Sequence, residues 1–525
     1  MVDTQIGYFG DGRLRKNGEL VLQRMIERQE VCIRKLGDTR PEQVRFRRFL
    51  GNTAVTVAEM VAHRATFAAA AAGRHILAIQ DTSEINYQAQ SRRKRRLGTV
   101  GNGTDVGLYV HPVLAVDADS EECLGLLDAQ VWRRTTSKAA DDKKLPIEQK
   151  ESYRWLRGGE HAKAALREAA MVTIIDDREG DIYEKWARLP DRRTQLLTRA
   201  CRDRCLADGG TLFARLAGFA EAHRYTIEVP ARPGKRSARQ ACLAVRFGRV
   251  RIRRPGNCSD PGAPAEIELY AVEVREIDPP AGEEPILWRL LTTHRVETLA
   301  QALAVITWYR LRWNIEQLFR TLKTQGLGIE QSVVVDGEAL EKLAVIALIA
   351  ATMTMQLVLA RAAADRDRRG HDSQPAADSA PAEPGREESS GPTVEDGACA
   401  SLASPALIAK DGACGGLASP GAPPHHGLPA TTPAPAAAPA SRIFDPDQVK
   451  VLHALQIKLQ GRTQKQHNPY RPESLARAAW TIARLGGWTG YESDKSSGPI
   501  TMRDGLQRFC ALVDGYELAK DVCPS

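Results

Sequence analysis

Apolar residues along the chain follow two periodicities, one typical of strands and one typical of helices. Short β-branched runs predict buried strands, and two of these runs end in an aspartate. The predicted strands are 76–81, 107–116, 123–132 and 171–177, and a helix is predicted at 148–157. Residues 195–290 alternate apolar and polar positions between loops rich in Pro and Gly, which predicts a further strand-rich block.

Helical periodicity dominates three stretches, 11–50, 297–361 and 443–521. Strands interrupted by one helix and followed by late helices predict an α/β core. The strand-rich block is then an insertion between the fourth strand and the last core helix. Residues 343–360 are apolar and long enough for a membrane span. Because Thr352, Thr354 and Gln356 interrupt them, we favour a buried core helix and expect no membrane partner.

Charge is distributed unevenly along the 525 residues, which carry a net +8. Residues 370–440 hold 12 of the 29 prolines and have two basic against eight acidic residues, a net of −6. The rest of the chain therefore carries +14. Such a segment cannot bury enough apolar surface to offset its ordering entropy, so 362–442 is predicted to be a disordered linker.

The first helical stretch and the cysteines leave less specific hypotheses. Residues 11–50 carry eleven Lys and Arg against six acids, which is typical of a basic binding face and equally of a solvated helix surface. Ten scattered cysteines favour reduced thiols in a cytosol. Cys201 and Cys205 have a metal-like spacing, but no nearby pair completes a zinc site.

Three carboxylates are candidates for one site. Asp81 and Asp177 follow two strands, and the carboxyl edge of a sheet is a frequent location for α/β sites. If 309–323 is one helix, Glu316 lies on the same face as four other polar residues, namely Tyr309, Arg312, Arg320 and Lys323. This face is either an exposed surface with ion pairs from Glu316 to Arg312 and Arg320, or a metal-binding glutamate between phosphate-binding cations.

Phosphodiester chemistry gives a reason for the second interpretation. Two Mg²⁺ ions about 4 Å apart activate a water or 3′-hydroxyl and stabilise the leaving oxygen. Mg²⁺ prefers oxygen ligands and uses few protein carboxylates. Two strand-end aspartates and one helical glutamate meet that need, and the surrounding cations would hold DNA.

Segments in three parts of the chain carry a family resemblance. They are IQDTSEINY at 79–87, TIIDDREGDIY at 173–183, and the Y-x2-R-x3-E-x6-K spacing of Tyr309, Arg312, Glu316 and Lys323. Together they resemble the D-D-E transposases, and among these the bacterial IS-four family with its Tn-five type cut-and-paste enzymes. GLYVHPVLAV, KESYRWL, ILWRLLTT, ETLAQAL and ARLGGW are similar to further family segments, in the family's order. The resemblance spans nearly the whole chain except 370–440.

The resemblance implies roles for individual residues. Asp81, Asp177 and Glu316 resemble the catalytic, metal-binding triad, with Asp176 as a rival to Asp177. Tyr309, Arg312 and Lys323 resemble phosphate-holding residues, and Arg199 and Arg320 align with basic DNA-contacting positions. Trp288 matches a tryptophan that stacks on a flipped base, although a core indole is the alternative. The run Arg92, Arg93, Lys94, Arg95 and Arg96 is interpreted as a phosphate clamp, or else as a solvated loop.

The resemblance also implies an architecture and a reaction. It predicts an N-terminal helical DNA-recognition region at 1–75, an RNase H-like core at 76–361 with a β-rich insertion at about 195–290, and a helical dimerisation region at 443–525. It further predicts a homodimer on double-stranded DNA, comprising inverted-repeat ends and target, in a bacterial cytoplasm. The expected cofactor is a pair of Mg²⁺ ions, with Mn²⁺ left open. A non-catalytic DNA-binding regulator and a structure-specific nuclease remain alternatives.

Overall fold

The structure is a computed structural model that describes residues 4–64, 68–134, 145–231, 237–372, 437–491 and 497–522. Within these ranges the protein has a mixed α/β architecture around one large sheet of eleven strands. The strands are β1 (His75–Gln80), β2 (Ser83–Asn86), β3 (Gly98–Val100), β4 (Asp105–Asp117), β5 (Cys123–Trp132), β6 (Met171–Asp176), β7 (Thr194–Arg199), β8 (Glu221–Val229), β9 (Arg239–Arg253), β10 (Glu266–Ile277) and β11 (Leu287–Thr292).

Helices precede, interrupt and follow the strands. They are α1 (Gly12–Arg28), α2 (Ile33–Leu36), α3 (Arg40–Gly51), α4 (Val57–Arg64), α5 (Ala68–Ala71), α6 (Tyr153–Ala165), α7 (Tyr183–Arg188), α8 (Leu212–Gly218), α9 (Leu299–Arg310), α10 (Trp313–Lys323), α11 (Gly337–Asp372), α12 (Pro446–Leu459), α13 (Leu475–Leu485) and α14 (Pro499–Val522).

The centre of the sheet combines antiparallel and parallel strands. β5 pairs antiparallel with β4, and β4 pairs antiparallel with β1. β1, β6 and β7 are then parallel to one another. Because β1 and β6 are parallel neighbours, their carboxyl ends meet at one edge of the sheet, as their aspartate-ended sequences predict.

The strand-rich block extends this same sheet. β11 pairs with β7, and the order continues through β10 and β9 to the edge strand β8. The first strand of the predicted insertion, β7, is therefore part of the central parallel set. The block also contains the helix α8, whose apolar residues Leu212 and Leu216 are buried.

Alternate residues of β1 separate the interior into two layers. Leu77 and Ile79 belong to a core with the N-terminal helices and with α9 to α11. Ile76 and Ala78 belong to a second core with α6, α7 and α8. The sheet is thus covered on both faces, which explains the continuous apolar run in β1.

Helix α11 is the long apolar segment predicted as a core helix. It is long and apolar enough to cross a membrane, but 89 % of its most apolar window is buried inside the protein. Its side chains reach three parts of the chain: Lys342 Nζ donates to Asn52 O, Gln356 Nε2 donates to Leu124 O, and Arg361 lies over the Trp488 ring at 3.7 Å. The prediction of a buried helix is confirmed.

Several predicted boundaries were wrong. The helix predicted at 148–157 is a short 3₁₀ turn, Ile147–Gln149, followed by α6. The core does not end at 361, because α11 continues to Asp372 through Ala- and Arg-rich sequence that favours helix. Ala438 and Ala440, assigned to the linker, are buried against the C-terminal helices. Residues 373–436, which hold most of the predicted linker, lie outside the described residues.

Candidate active site

Asp81 and Asp177 follow neighbouring parallel strands at the carboxyl edge of the sheet. Asp81 comes directly after β1 and is 8 % exposed. Its Oδ1 accepts from the Thr82 backbone N–H at 2.7 Å. Asp177 comes directly after β6 and begins the 3₁₀ turn Arg178–Gly180, where its Oδ1 accepts from the Glu179 N–H at 2.7 Å.

The two adjacent aspartates, Asp176 and Asp177, have opposite environments. Asp176 is the last residue of β6, is fully buried, and forms an ion pair with the buried Lys185. Asp177 is partly exposed, and its charge raises the pKa of Asp81. Asp177, rather than Asp176, is therefore the aspartate that acts electrostatically on Asp81, and its catalytic role stays a prediction.

The third carboxylate, Glu316, reaches this edge from α10. Arg312 connects it to Asp81: Nη1 donates to Asp81 Oδ2 at 2.7 Å, and Nη2 donates to Glu316 Oε1 at 3.3 Å. Burial disfavours the charged guanidinium, but Asp81, Tyr309 and Glu316 outweigh it and raise the pKa of Arg312. The predicted Glu316–Arg312 pair is present, while Arg320 lies over the Trp313 ring at 4.8 Å.

The segment 309–323 is not one helix, contrary to the assumption made from its periodicity. α9 ends at Arg310, and α10 begins at Trp313 after a turn at Leu311 and Arg312. Both turn residues keep right-handed helical dihedrals, so the direction of the chain changes only locally. Tyr309 on α9 and Glu316 on α10 still face the same site, since both act electrostatically on Asp81 or Arg312.

Burial and like charge make Asp81 a basic carboxylate. Its pKa is raised to about 8, first by burial, then by Asp177 and Glu316, with Arg312 acting in the opposite direction. Repulsion among carboxylates at one site is relieved by a cation. In this chain the guanidinium of Arg312 supplies that positive charge.

The donor set fits a hard divalent cation in its chemistry. Asp81, Asp177 and Glu316 offer only carboxylate oxygens, the ligands that Mg²⁺ prefers. Across the residues that the structure describes, no three acidic, imidazole or thiol side chains converge tightly enough to form a ready-made metal cage. The fit therefore rests on the carboxylate chemistry and on the raised pKa of Asp81, which indicates a need for positive charge.

Two aromatic residues predicted to contact DNA are packed together beneath the site. Tyr309 and Trp288 are both buried, and their rings meet edge to face with centroids 5.4 Å apart. Trp288 is 8 % exposed and lies in a strand, paired with Val274. This is the core position that was the alternative to base stacking, so a stacked base would require the indole to move.

The remaining predicted cations near the triad are partly engaged. Arg199 Nη2 donates to Leu287 O at 2.8 Å, and burial lowers the pKa of its guanidinium. Lys323 Nζ lies 3.6 Å from Glu330 Oε1.

The run of five cations after β2 divides into two groups. Lys94 donates to the backbone oxygens of Ser332 and Val334 and lies 4.4 Å from the Tyr87 ring centroid, and burial lowers its pKa to about 8. Arg96 forms ion pairs with Asp336 and Glu338. The other three, Arg92, Arg93 and Arg95, are exposed, and within the described residues their side chains form no ion pair. The phosphate clamp therefore stays a prediction, with Arg92, Arg93 and Arg95 outside the ion pairs of the described residues, Arg96 exposed but paired, and Lys94 engaged within the protein.

Sequence reasoning missed a set of side chains behind the aspartates. Arg154 Nε donates to Thr82 Oγ1 at 2.8 Å, and Arg154 Nη2 donates to Glu179 Oε2 at 2.6 Å. Lys185, His111 and Gln80 lie deeper and are fully buried. No spacing in the sequence identifies these residues, because each comes from a different element.

Two comparisons show what this chain is similar to. Residues 119–353 match a family model described as the transposase DDE domain, a range that contains Asp177 and Glu316 and begins after Asp81. A solved structure, the piggyBac transposase synaptic complex with hairpin DNA, is similar over 58 % of this chain at 10 % identity and a TM-score of 0.29. The aligned part spans 55 % of the length of that chain. The family match supports a DDE transposase.

Proposed function

We propose that the protein is a DNA transposase that cuts and rejoins phosphodiester bonds at the edge carrying Asp81, Asp177 and Glu316. The observation that carries this proposal is that Arg312 bridges Asp81 and Glu316 while Asp177 follows the neighbouring parallel strand, with two of the three carboxylates inside the matched transposase range. A cut-and-paste mechanism of the IS-four, Tn-five type is the finer form of the proposal. Its support is the motif resemblance of the segments around Asp81, Asp177 and Tyr309.

The proposed core is RNase H-like. Its support is the mixed centre of the sheet, where antiparallel β5, β4 and β1 continue into parallel β6 and β7. This order puts two strand ends side by side. Each strand end then supplies one aspartate, and α10 supplies the glutamate.

In the proposed reaction, Asp81, Asp177 and Glu316 would hold two Mg²⁺ ions, or Mn²⁺. When bound, such ions activate the attacking water or 3′-hydroxyl and stabilise the leaving oxygen. Because the pKa of Asp81 is raised to about 8, its carboxyl carries a proton near neutral pH until a cation replaces it. Arg312 donates to both Asp81 and Glu316 and would remain beside the site as a phosphate-binding cation.

The proposed sequence of steps uses one site throughout. Hydrolysis of one strand releases a 3′-hydroxyl, which attacks the opposite strand and leaves a hairpin end. Hydrolysis of the hairpin regenerates the 3′-hydroxyl, which then joins target DNA. In each step one phosphorus–oxygen bond breaks and one forms, with water or a hydroxyl as nucleophile.

The proposed partners are inverted-repeat DNA ends, target DNA and a second copy of the chain, in a bacterial cytoplasm at the nucleoid. DNA contacts are supported by the exposed Arg92, Arg93 and Arg95. A homodimer is supported by four apolar side chains exposed on the last helix, which we call the exposed α14 residues: Leu512, Tyr516, Leu518 and Val522, with exposed fractions of 44, 37, 64 and 70 %.

The proposal is tested with the full chain, Mg²⁺ and a plasmid carrying the inverted repeats that flank its coding sequence. Nicked, hairpin and joined products are resolved on a gel for the wild type and for Asp81→Asn, Asp177→Asn and Glu316→Gln. We expect each substitution to reduce nicking by more than about a hundredfold. This exceeds the loss that is typical when a residue hydrogen-bonded to a metal ligand is mutated. Glu228→Gln, an exposed position on the edge strand β8, is the matched control and should keep wild-type activity.

Each outcome of this experiment has a distinct meaning. Full nicking by Glu316→Gln contradicts the proposed site. Wild-type nicking without joined products identifies a structure-specific nuclease. Binding of the repeat without Mg²⁺-dependent nicking identifies a DNA-binding regulator.

A further inference from the structure

Behind the two strand-end aspartates, buried side chains form a continuous hydrogen-bonded chain. Thr82 Oγ1 lies 2.9 Å from His111 Nδ1, and His111 Nε2 lies 3.1 Å from Gln80 Oε1. Gln80 Nε2 donates to Asp176 Oδ1 at 2.6 Å. The chain therefore runs from the residue after Asp81 to the residue before Asp177.

The donors of this chain point in one direction. Gln80 Nε2 donates to Trp155 O and to Asp176 Oδ1, so Gln80 Oε1 is left to accept from His111 Nε2. With its proton on Nε2, the neutral His111 ring accepts at Nδ1 from Thr82 Oγ1, which itself accepts from Arg154 Nε. Burial, and then the charges of Arg154 and Lys185, lower the pKa of His111, which keeps the ring neutral as this tautomer requires.

At the inner end, Lys185 completes the chain. It is fully buried on α7, forms the ion pair with Asp176, and donates to Thr198 Oγ1 at 3.2 Å. Replacing a buried ion pair by apolar residues of similar volume is often neutral or stabilising, so the pair is weak evidence for stability. Its position next to Asp177 suggests a different use, which is to fix the end of β6.

A second connection closes the ring on the solvent side. Arg154 Nη2 donates to Glu179 Oε2 at 2.6 Å, and the Glu179 N–H holds Asp177. Arg154 thus braces Thr82, beside Asp81, against Glu179, beside Asp177. Thr82 therefore belongs both to the buried hydrogen-bonded chain, through His111, and to the connection on the solvent side, through Arg154.

We infer that His111 is a positioning residue that, through Thr82, Gln80 and Asp176, fixes Asp81 relative to Asp177 and so sets the affinity of the site for a divalent cation. This inference rests on the proposed function. The inference goes beyond the proposed function because it assigns a role to a side chain that touches neither DNA nor the reacting atoms. Mutating a residue that hydrogen-bonds to a metal ligand typically reduces metal affinity or activity by about 10–100-fold.

The test is His111→Phe in the full chain, with Mn²⁺ as the probe ion. The phenyl ring keeps the edge-to-face packing that His111 makes on Trp155, with centroids 4.7 Å apart, and forms neither hydrogen bond. Calorimetric titration without DNA should show a dissociation constant for Mn²⁺ raised about tenfold or more. The Mg²⁺ concentration for half-maximal nicking should rise equally, while the rate at saturating Mg²⁺ should fall much less.

Two matched variants separate positioning from general damage. His111→Gln keeps one donor and one acceptor and should recover much of the metal affinity. His223→Phe makes the same chemical change at a histidine stacked on Tyr225 in the edge strand β8, and should leave metal affinity unchanged. Thermal melting in EDTA records the loss of stability separately from the loss of affinity.

The inference is overturned if folded His111→Phe binds Mn²⁺ as tightly as the wild type. If His111→Phe does not fold, the double variant Asp176→Asn/Lys185→Met replaces it, and wild-type affinity in that variant overturns the inference equally. A wild-type chain that neither binds Mn²⁺ nor nicks DNA removes the proposed function as well. If the wild type binds Mn²⁺ and nicks DNA, and the variants bind Mn²⁺ as tightly as the wild type, only the positioning role is rejected.

Discussion

Asp81 couples the protonation of the site to the stability of the fold. Its carboxyl has a folded-state pKa of about 8 against an ordinary value of 3.8, so the folded chain holds a proton that the unfolded chain releases. Stability from this group is therefore complete below about pH 4 and is lost as the pH rises through about 8. In EDTA, the contribution of this carboxyl should lower the melting temperature between about pH 4 and about pH 8, and Asp81→Asn should flatten that fall. An equal slope in wild type and variant would contradict this account.

At the same scale, sequence identified the residues that a motif marks and missed those that support them. Asp81, Asp177 and Glu316 stand out because strand ends and a helical spacing mark them. His111 and Lys185 do not, since their importance depends on which residues become neighbours after folding. Lys94 shows the opposite error: its type predicts a DNA contact, but the fold uses its ammonium to bind two backbone oxygens.

The division of the basic run can be tested directly. Substituting Arg92, Arg93 and Arg95 together by Ala should weaken DNA binding and reduce the salt slope by about 0.9 for each phosphate that these side chains neutralise in the wild type. Lys94→Ala should change the salt slope little and destabilise the fold by about 1–3 kcal/mol, because two partly buried carbonyls lose their donor. Anisotropy across a KCl series and thermal melting measure the two effects. If the triple variant melts at a lower temperature and keeps the wild-type salt slope, these three arginines stabilise the fold and do not contact DNA.

At the scale of elements, the turn after β6 depends on close packing with the strand end. A Cβ added to Gly180 would lie 2.4 Å from Asp176 Cβ, so the turn Arg178–Gly180 can approach β6 only with glycine there. Gly180→Ala should cost about 1–3 kcal/mol and reduce nicking, since the turn carries the amide that holds Asp177. Gly218→Ala, where an added Cβ meets nothing within 4 Å, is the control for melting and nicking. Wild-type behaviour of Gly180→Ala would show that the turn can shift freely.

Strands were predicted more accurately than helices for a physical reason. β1, β5 and β6 are covered on both faces or bounded by turns, so their apolar runs mark their limits closely. The helical limits depend on local breaks, such as the turn at Leu311 and Arg312, and on the helix-favouring Ala- and Arg-rich residues through which α11 continues to Asp372. A periodicity of 3.6 residues continues through such a turn, because the turn residues keep helical dihedrals.

At the scale of the whole molecule, α11 joins regions that the sequence separates. The N-terminal helices share its core with the sheet, and the C-terminal helices pack on its far half. A basic N-terminal region and an apolar C-terminal surface are therefore held on one rigid element. In the proposed function, DNA binding by the N-terminal helices and pairing of copies through the C-terminal helices would both act on elements that pack on α11.

That arrangement makes the proposed dimer testable through the exposed α14 residues. Leu512→Lys/Leu518→Lys replaces two exposed apolar side chains of this helix by charges, so it should prevent pairing without loosening the core. Glu517→Lys reverses a charge on the same helix and removes no apolar side chain, so it is the control. Sedimentation with inverted-repeat DNA should find one chain per DNA end for the double variant, and paired ends for the wild type and the control. Because joining two ends needs two chains, the double variant should bind single ends normally and yield no joined product. Paired ends in the double variant would mean that the dimer forms through another surface.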